Sequence, residues 1–203
     1  MTQVVAIRHA DTDVAGRRFT GRTPGIHLNS RGREQAQCLP ERLRGIPLAA
    51  IWASPLERAQ ETAAPLARER SLEVVTCEAL TELDYGDWQG YAPEELQGDS
   101  YWERYNHQRS LWRIPGGESL GEAQMRMGQA LEQLIIQYPD ARVALVGHGD
   151  PLRALIARLL GVSLDFILRF EIAPASISVI HIDQGEPQVL CLNDTGELSR
   201  LLA

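Results

Sequence analysis

The amino-acid sequence predicts one α/β domain, a mostly parallel sheet flanked by helices. Short unbroken apolar runs at residues 4–7 and 143–146 read as strands buried on both faces. Stretches of helical periodicity lie between the strand candidates, joined mostly by short loops, the pattern that builds parallel sheets. At 203 residues, with no repeat, low-complexity tract or linker, the chain amounts to about one domain.

In chain order, residues 4–7 form the first strand and residues 10–28 a long loop, of the kind that often carries function. Asn29 is expected to cap a helix running to about Leu43, with Ala36, Leu39 and Leu43 inward and Pro40 bending or interrupting it. Residues 48–53 are a second strand. Ser54 is expected to cap the next helix, with Pro55 at its first position and Leu56, Ala59, Ala63 and Leu66 at helical spacing. Residues 72–77 are a third strand. Ser119 and Glu122 fit a capping box. The helix they open carries a stripe of Leu120, Ala123, Met127, Ala130, Leu134 and Tyr138, and Pro139 ends it. Residues 143–146 form another strand, followed by Gly147-His148-Gly149-Asp150-Pro151 and a helix to about Leu160. Residues 177–182 and 189–192 read as a hairpin about Gln184-Gly185.

Charge and cysteine usage narrow the class. Lys plus Arg is 20 and Asp plus Glu 27, a net charge of −7, which disfavours a general binder of nucleic acid or anionic membranes. No apolar run approaches the roughly 20 residues of a membrane span. The N-terminus reads directly as a strand, without the regions of a signal peptide. Cys38, Cys77 and Cys191 are odd in number and far apart, which argues against a disulfide framework or zinc site and for buried small hydrophobes. The expectation is a cytoplasmic protein with no nucleic-acid or membrane partner. Its oligomeric state stays open.

Ligands of open α/β sheets bind at the carboxyl ends of the strands. Two strands here run into a histidine, at Arg8-His9 and at Gly147-His148, the second flanked by Gly149. A charged pair at the end of a buried strand is costly without a ligand or partner. Taken alone, Arg58 reads as a solvated helix residue and Glu82 as an exposed loop carboxylate. Residues 84–117 depart from the strand–helix rhythm and hold seven of the twelve aromatics, Tyr85, Trp88, Tyr91, Tyr101, Trp102, Tyr105 and Trp112. They are expected either to pack a satellite cluster or to wall a pocket, and one ring can do both.

Arg8-His9-Ala10, Leu28-Asn29-Ser30-Arg31-Gly32, Ser54-Pro55-Leu56-Glu57-Arg58-Ala59, Thr81-Glu82-Leu83-Asp84-Tyr85-Gly86, Pro115-Gly116-Gly117-Glu118-Ser119 and Gly147-His148-Gly149-Asp150 follow one another along the chain. This ordered set resembles the motifs of the histidine phosphatase superfamily, the phosphoglycerate-mutase-like group, from residue 4 to about 180. The resemblance implies a three-layer α/β/α sandwich with one antiparallel strand, a single domain over residues 1–203. His9 matches the family nucleophile, Arg8 and Arg58 the phosphate-clamping arginines, His148 the second histidine of the phosphate pocket and Glu82 the proton donor. A nucleophilic imidazole needs its other ring nitrogen tied to an acceptor, here expected to be a backbone carbonyl. Two arginines, a protonated His148 and the Gly149 N–H would then hold the phosphoryl group with no metal or cofactor. Glu82 must start protonated, with its pKa raised by apolar neighbours such as Trp88 and by the bound phosphate. Thr20 and Arg22 resemble the family's substrate loop and are assigned to substrate binding.

The sequence departs from the family at Ala10, where glycine is usual, at residues 11–16, where an asparagine is missing, and at Gln89, where an acidic residue is usual. His27, His107 and His181 match no motif and read as surface or strand residues. The length resembles the compact phosphatase branch. The expected function is hydrolysis of small-metabolite phosphate monoesters through phosphohistidine, with a phosphorylated small molecule as partner. Mutase-type phosphoryl transfer, a phosphohistidine or protein phosphatase, and a non-catalytic phospho-ligand binder are the alternatives.

Overall fold

The computed structural model describes residues 1–183 and 185–196. Six strands, β1 (Thr2–Arg8), β2 (Ala50–Ala53), β3 (Val74–Thr76), β4 (Arg142–Gly147), β5 (Ile177–Asp183) and β6 (Glu186–Asp194), form one sheet in the order β3-β2-β4-β1-β5-β6. β5 alone runs against the rest, antiparallel to both β1 and β6. Gln184, expected in the hairpin turn, lies outside the described residues.

Alternation along the central strands explains the three layers. Val4 and Ala6 of β1, with Val143 and Leu145 of β4, face α4 (Leu120–Gln137) and α5 (Gly149–Leu160) through Met127, Leu134 and Leu155. Val5, Ile7, Ala144 and Val146 face the other way, onto α1 (Ser30–Arg42) and α2 (Glu57–Arg70) through Leu39, Ala59, Ala63 and Leu66. A strand with apolar side chains on both faces is stable only between two covering layers. Residues 84–117 hold a short α3 (Ser100–His107), and their rings pack with Leu120 and Ala157 as a third cluster.

Several boundaries differ from expectation for identifiable reasons. Helix α1 starts at its Asn29 cap, whose Oδ1 accepts from Gly32 N at 2.8 Å, and runs on through Pro40 to Arg42 without interruption. Pro40 offers no N–H to the Ala36 carbonyl and crowds it, and the helix ends two residues later. Ser54 does not cap α2, which begins two residues past Pro55 with no side-chain cap; the serine hydroxyl is committed to His148. The capping box of α4 forms as expected. The cysteines are free, but Cys38 is exposed and Cys77 and Cys191 are half-buried, so none is the fully buried hydrophobe expected. Among the described residues no helix is long and apolar enough to cross a membrane.

Candidate active site

Register brings the two histidines together. Arg8 of β1 pairs with Gly147 of β4, so the next residues, His9 and His148, leave adjacent strands side by side. His9 N donates to the Gly147 carbonyl at 2.8 Å, and the two rings sit 5.1 Å apart. The neighbouring strand β2 ends at the same level and delivers Ser54, then Arg58 in the first turn of α2.

His9 is 5% exposed, and its Nδ1 lies 2.8 Å from the Ala10 carbonyl oxygen. A carbonyl only accepts, so Nδ1 carries the proton and Nε2 presents its lone pair. His148 is fully buried, with Nε2 2.8 Å from Ser54 Oγ. With the Ser54 hydroxyl donating to Nε2 while its oxygen accepts from Leu56 N at 3.3 Å, the His148 proton sits on Nδ1, on the side of Glu82 Oε2. Burial drives both imidazoles well below the usual histidine range; Arg58 and Arg8 push the same way on His9, and His9 and Arg58 on His148. Burial and the neighbouring cations therefore favour the neutral His148 imidazole, whereas the sequence reading had it protonated around a phosphoryl group.

Around the two rings, buried donors face inward. Arg8 spends Nη1 on the Ile172 carbonyl at 2.6 Å, and Arg58 spends Nη2 on the Gly21 carbonyl at 2.8 Å. Arg8 Nε, Arg58 Nε and Nη1, and His148 Nδ1 have no hydrogen-bond partner among the described residues. Buried donors in such number mark a place built for an acceptor-rich anion. The flat Arg8 guanidinium lies over Gly149, where an added Cβ would come within 3.4 Å of it.

Glu82 faces this group from a loop, 9% exposed, with Oε2 3.8 Å from His148 Nδ1 and Oε1 accepting from Leu83 N at 2.8 Å. Burial, then the like charge of Asp150, pushes its carboxyl up to about 7, against the pull of Arg58 and Arg8. Desolvation, as expected, is the first cause and the like charge of Asp150 the second; the Trp88 ring packs on Tyr101, Trp102 and Tyr105. Asp150 is itself held by the Tyr85 hydroxyl at 2.6 Å and Arg153 Nη1 at 3.0 Å.

The Glu82 backbone is clamped from behind. Arg126 Nη1 bonds the Ala79 and Thr81 carbonyls at 2.7 Å each, Arg22 Nε bonds the Glu82 carbonyl at 3.1 Å, and Glu118 bridges both arginines. Arg22 is thus used to fix the Glu82 loop and is not part of the cavity wall, contrary to its assignment from sequence. Thr20 is on that wall. The cavity, about 350 Å³, opens onto His9, Arg8, Glu82 and Gly149 and is walled further out by Phe19, Tyr85, Trp102 and Tyr105. Sequence reasoning missed Asp150, Glu118 and Arg126. The first two stand inside motifs already quoted; Arg126 carried no signal, being one arginine on a regular helix.

His9, Glu82 and His148 place ligand atoms within 4.8 Å of one another, a set that can hold a metal ion. Two guanidiniums beside it repel a cation, and His9 Nδ1 is already spent on Ala10, so the donor set fits an anion better.

Comparison with known proteins agrees with this geometry. The family model of the histidine phosphatase superfamily (branch 1) matches residues 4–195. The chain is 32% identical to phosphoserine phosphatase 1 of Hydrogenobacter thermophilus over 98% of its own length and 95% of that protein. It is 33% identical to the bifunctional protein Rv2228c of Mycobacterium tuberculosis, over 97% of this chain but only 55% of that one. A phosphoserine phosphatase of Entamoeba histolytica, solved with phosphoserine, superposes with a TM-score of 0.88 at 27% identity, covering 98% of this chain and 100% of that one.

Proposed function

The chain belongs to the histidine phosphatase superfamily and is a phosphomonoester hydrolase, and on that premise we propose that it hydrolyses small-metabolite phosphate esters without a metal ion, through phosphohistidine at His9. The observation that carries the proposal is His9 itself: a buried neutral imidazole, proton fixed on Nδ1 by Ala10, with its free Nε2 turned into a ring of unpartnered cationic donors.

The chemistry runs in two steps. His9 Nε2 forms the N–P bond as the ester P–O bond breaks, and Glu82 gives its proton to the departing alkoxide. Arg8, Arg58, His148 Nδ1–H and the Gly149 N–H at the start of α5 hold the three equatorial oxygens, where charge builds. Glu82, now a carboxylate, takes a proton from water; the water oxygen bonds to phosphorus and the N–P bond breaks, releasing phosphate and neutral His9. A carboxyl titrating at about 7 is poised for both directions of proton transfer. Thr20 and the aromatic wall would contact the leaving group.

The test is release of phosphate from 4-nitrophenyl phosphate and a panel of metabolite monoesters in EDTA. Full activity with chelator, and an acid-labile phosphoenzyme absent from His9→Ala, support the reading. A phosphoenzyme that survives His9→Ala, or activity lost to EDTA and regained with a divalent cation, rejects it. Interconversion of phosphoglycerates without net phosphate release would place the chain with the mutases.

A further inference from the structure

Every backbone donor and acceptor of the turn that follows β1 has a partner. His9 N donates to the Gly147 carbonyl at 2.8 Å, and the His9 carbonyl accepts from Ala175 N at 3.3 Å. Ala10 N donates to Thr62 Oγ1 at 2.9 Å, and the Ala10 carbonyl accepts from His9 Nδ1 at 2.8 Å. Asp11 N donates to Gln35 Oε1 at 2.9 Å, and the Asp11 carbonyl accepts from Asn29 N at 3.1 Å. Two helix side chains therefore brace the turn. Thr62, on α2, holds the His9–Ala10 peptide and passes its own proton to the Arg58 carbonyl at 2.6 Å. Gln35, on α1, holds the Ala10–Asp11 peptide, the one whose carbonyl keeps the proton on His9 Nδ1.

Helix α1 is shaped for that reach. Gly32 lies against Asp11, and an added Cβ there would collide with the Asp11 backbone. Its bare face lets the first turn of the helix lie flush on the loop, and Gln35, three residues on, stands over the same peptide. Ala10 is fully buried among Leu28, Ala36 and Ala175, so packing also hems the peptide in. A peptide whose N–H donates a hydrogen bond carries a more negative carbonyl oxygen, because bonds in a chain polarise one another. The chain here runs from Gln35 Oε1 through Asp11 N–H and the Ala10 carbonyl to His9 Nδ1–H, and its far end is the Nε2 lone pair. We propose that Gln35 is a positioning residue for the nucleophile: through the Ala10–Asp11 peptide it aims the His9 ring and raises the electron density at Nε2. Gln35 lies outside the wall of the cavity that holds His9, so this peptide is its route to the chemistry. The inference rests on the reading of His9 as the nucleophile of a phosphatase.

Two variants test it. Gln35→Met keeps the length of the side chain and removes the acceptor; Gln35→Glu keeps the acceptor and adds charge to it. Both are read at neutral pH by turnover of 4-nitrophenyl phosphate and by NMR of isotope-labelled histidine rings. In Gln35→Met, kcat should fall roughly 10- to 100-fold with KM within about twofold of the wild type. The His9 Nδ1–H resonance should move upfield, as for a weaker hydrogen bond, while the ring resonances of His148 stay in place. Gln35→Glu should recover most of the lost kcat and move the His9 resonance downfield of the wild-type position. An undiminished kcat in Gln35→Met, a loss with the His9 resonance unmoved, or a Gln35→Glu enzyme as slow as Gln35→Met would each overturn the inference and leave the phosphatase reading intact. Where Gln35→Met does not fold, Gln35→Glu decides alone: a downfield shift supports the inference and an unmoved resonance overturns it. Phosphate released from no ester by the wild type, 4-nitrophenyl phosphate included, would overturn the phosphatase reading and this inference with it.

Discussion

The donor ring at the strand ends and the aromatic wall that faces it are built by different rules. The ring is fixed by sheet register: Arg8 and His9 follow β1, His148 follows β4, and Ser54 and Arg58 follow β2, three strands hydrogen-bonded in parallel. The wall is fixed by rings packing edge to face, Trp88 on Trp102 at 5.0 Å and on Tyr105 at 5.0 Å, within an excursion that has no strand in the sheet. The first carries charge and has little freedom to vary; the second carries shape, and many ring arrangements would serve. On the proposed mechanism the chemistry draws on the first region and selectivity on the second.

Substitutions can separate the two. The largest effect should come from His9→Ala, a loss of about 10⁴-fold or more in phosphate release from every ester alike. A variant retaining a tenth of the activity would move the nucleophile elsewhere. Glu82→Gln should cost about 10²- to 10⁴-fold on alkyl esters and less on aryl ones, whose leaving groups need less protonation; equal losses would remove Glu82 from the acid's role.

The same carboxyl sets two pH dependences. As an acid it works while protonated, so kcat/KM should fall as pH rises through about 7, and that limb should vanish in Glu82→Gln. Its folded pKa lies above the ordinary 4.5, so the fold holds the proton more tightly than the unfolded chain does. Its contribution to stability is then fully present below 4.5 and declines as pH rises toward 7. Glu82→Gln should therefore be more stable than the wild type at pH 8, by on the order of 3 kcal/mol, as measured by denaturant unfolding. A variant no more stable than the wild type would mean that the carboxylate is not strained in place.

Trp102→Ala tests the other region. It should raise KM for bulky esters roughly three- to tenfold and leave kcat nearly untouched, because on the proposed mechanism this ring of the cavity wall meets the leaving group and not the phosphate. A fall in kcat of similar size would tie the wall to the chemistry. The smallest expected effect is a displacement and not a loss. Asp150→Asn keeps an acceptor for the Tyr85 hydroxyl but removes the like charge beside Glu82, so the alkaline limb should move to lower pH. A limb that stays in place would leave burial as the whole cause.

The contrast also explains what could be read from the sequence. Unbroken apolar runs told of β1 and β4, and two histidines in the same place after them told of a site between the strands. Burial of Arg58, which alone reads as a solvated helix residue, followed from its motif and not from periodicity. Arg22 was misplaced because a loop arginine beside a pocket looks the same in sequence whether it meets a ligand or, as here, a carbonyl and Glu118. The charge state of His148 and the share of Asp150 in the Glu82 shift were illegible because both depend on distances across the fold that no local pattern encodes. The aromatic stretch announced a cluster, but not which rings would face inward.

The strand order has a consequence for how the molecule comes into being. β1 lies between β4 and β5, so it finds its partners only after residues 142–147 and 177–183 have followed it along the chain. Until then an apolar strand with both edges unpaired must wait, a state prone to sticking to other chains. Contacts this distant along the chain also slow folding. Because His9 meets His148 only when β1 pairs with β4, the donor ring cannot form before that long-range pairing does. Phosphate release in a refolding mixture would time that event, as an intrinsic clock for the pairing of the two strands.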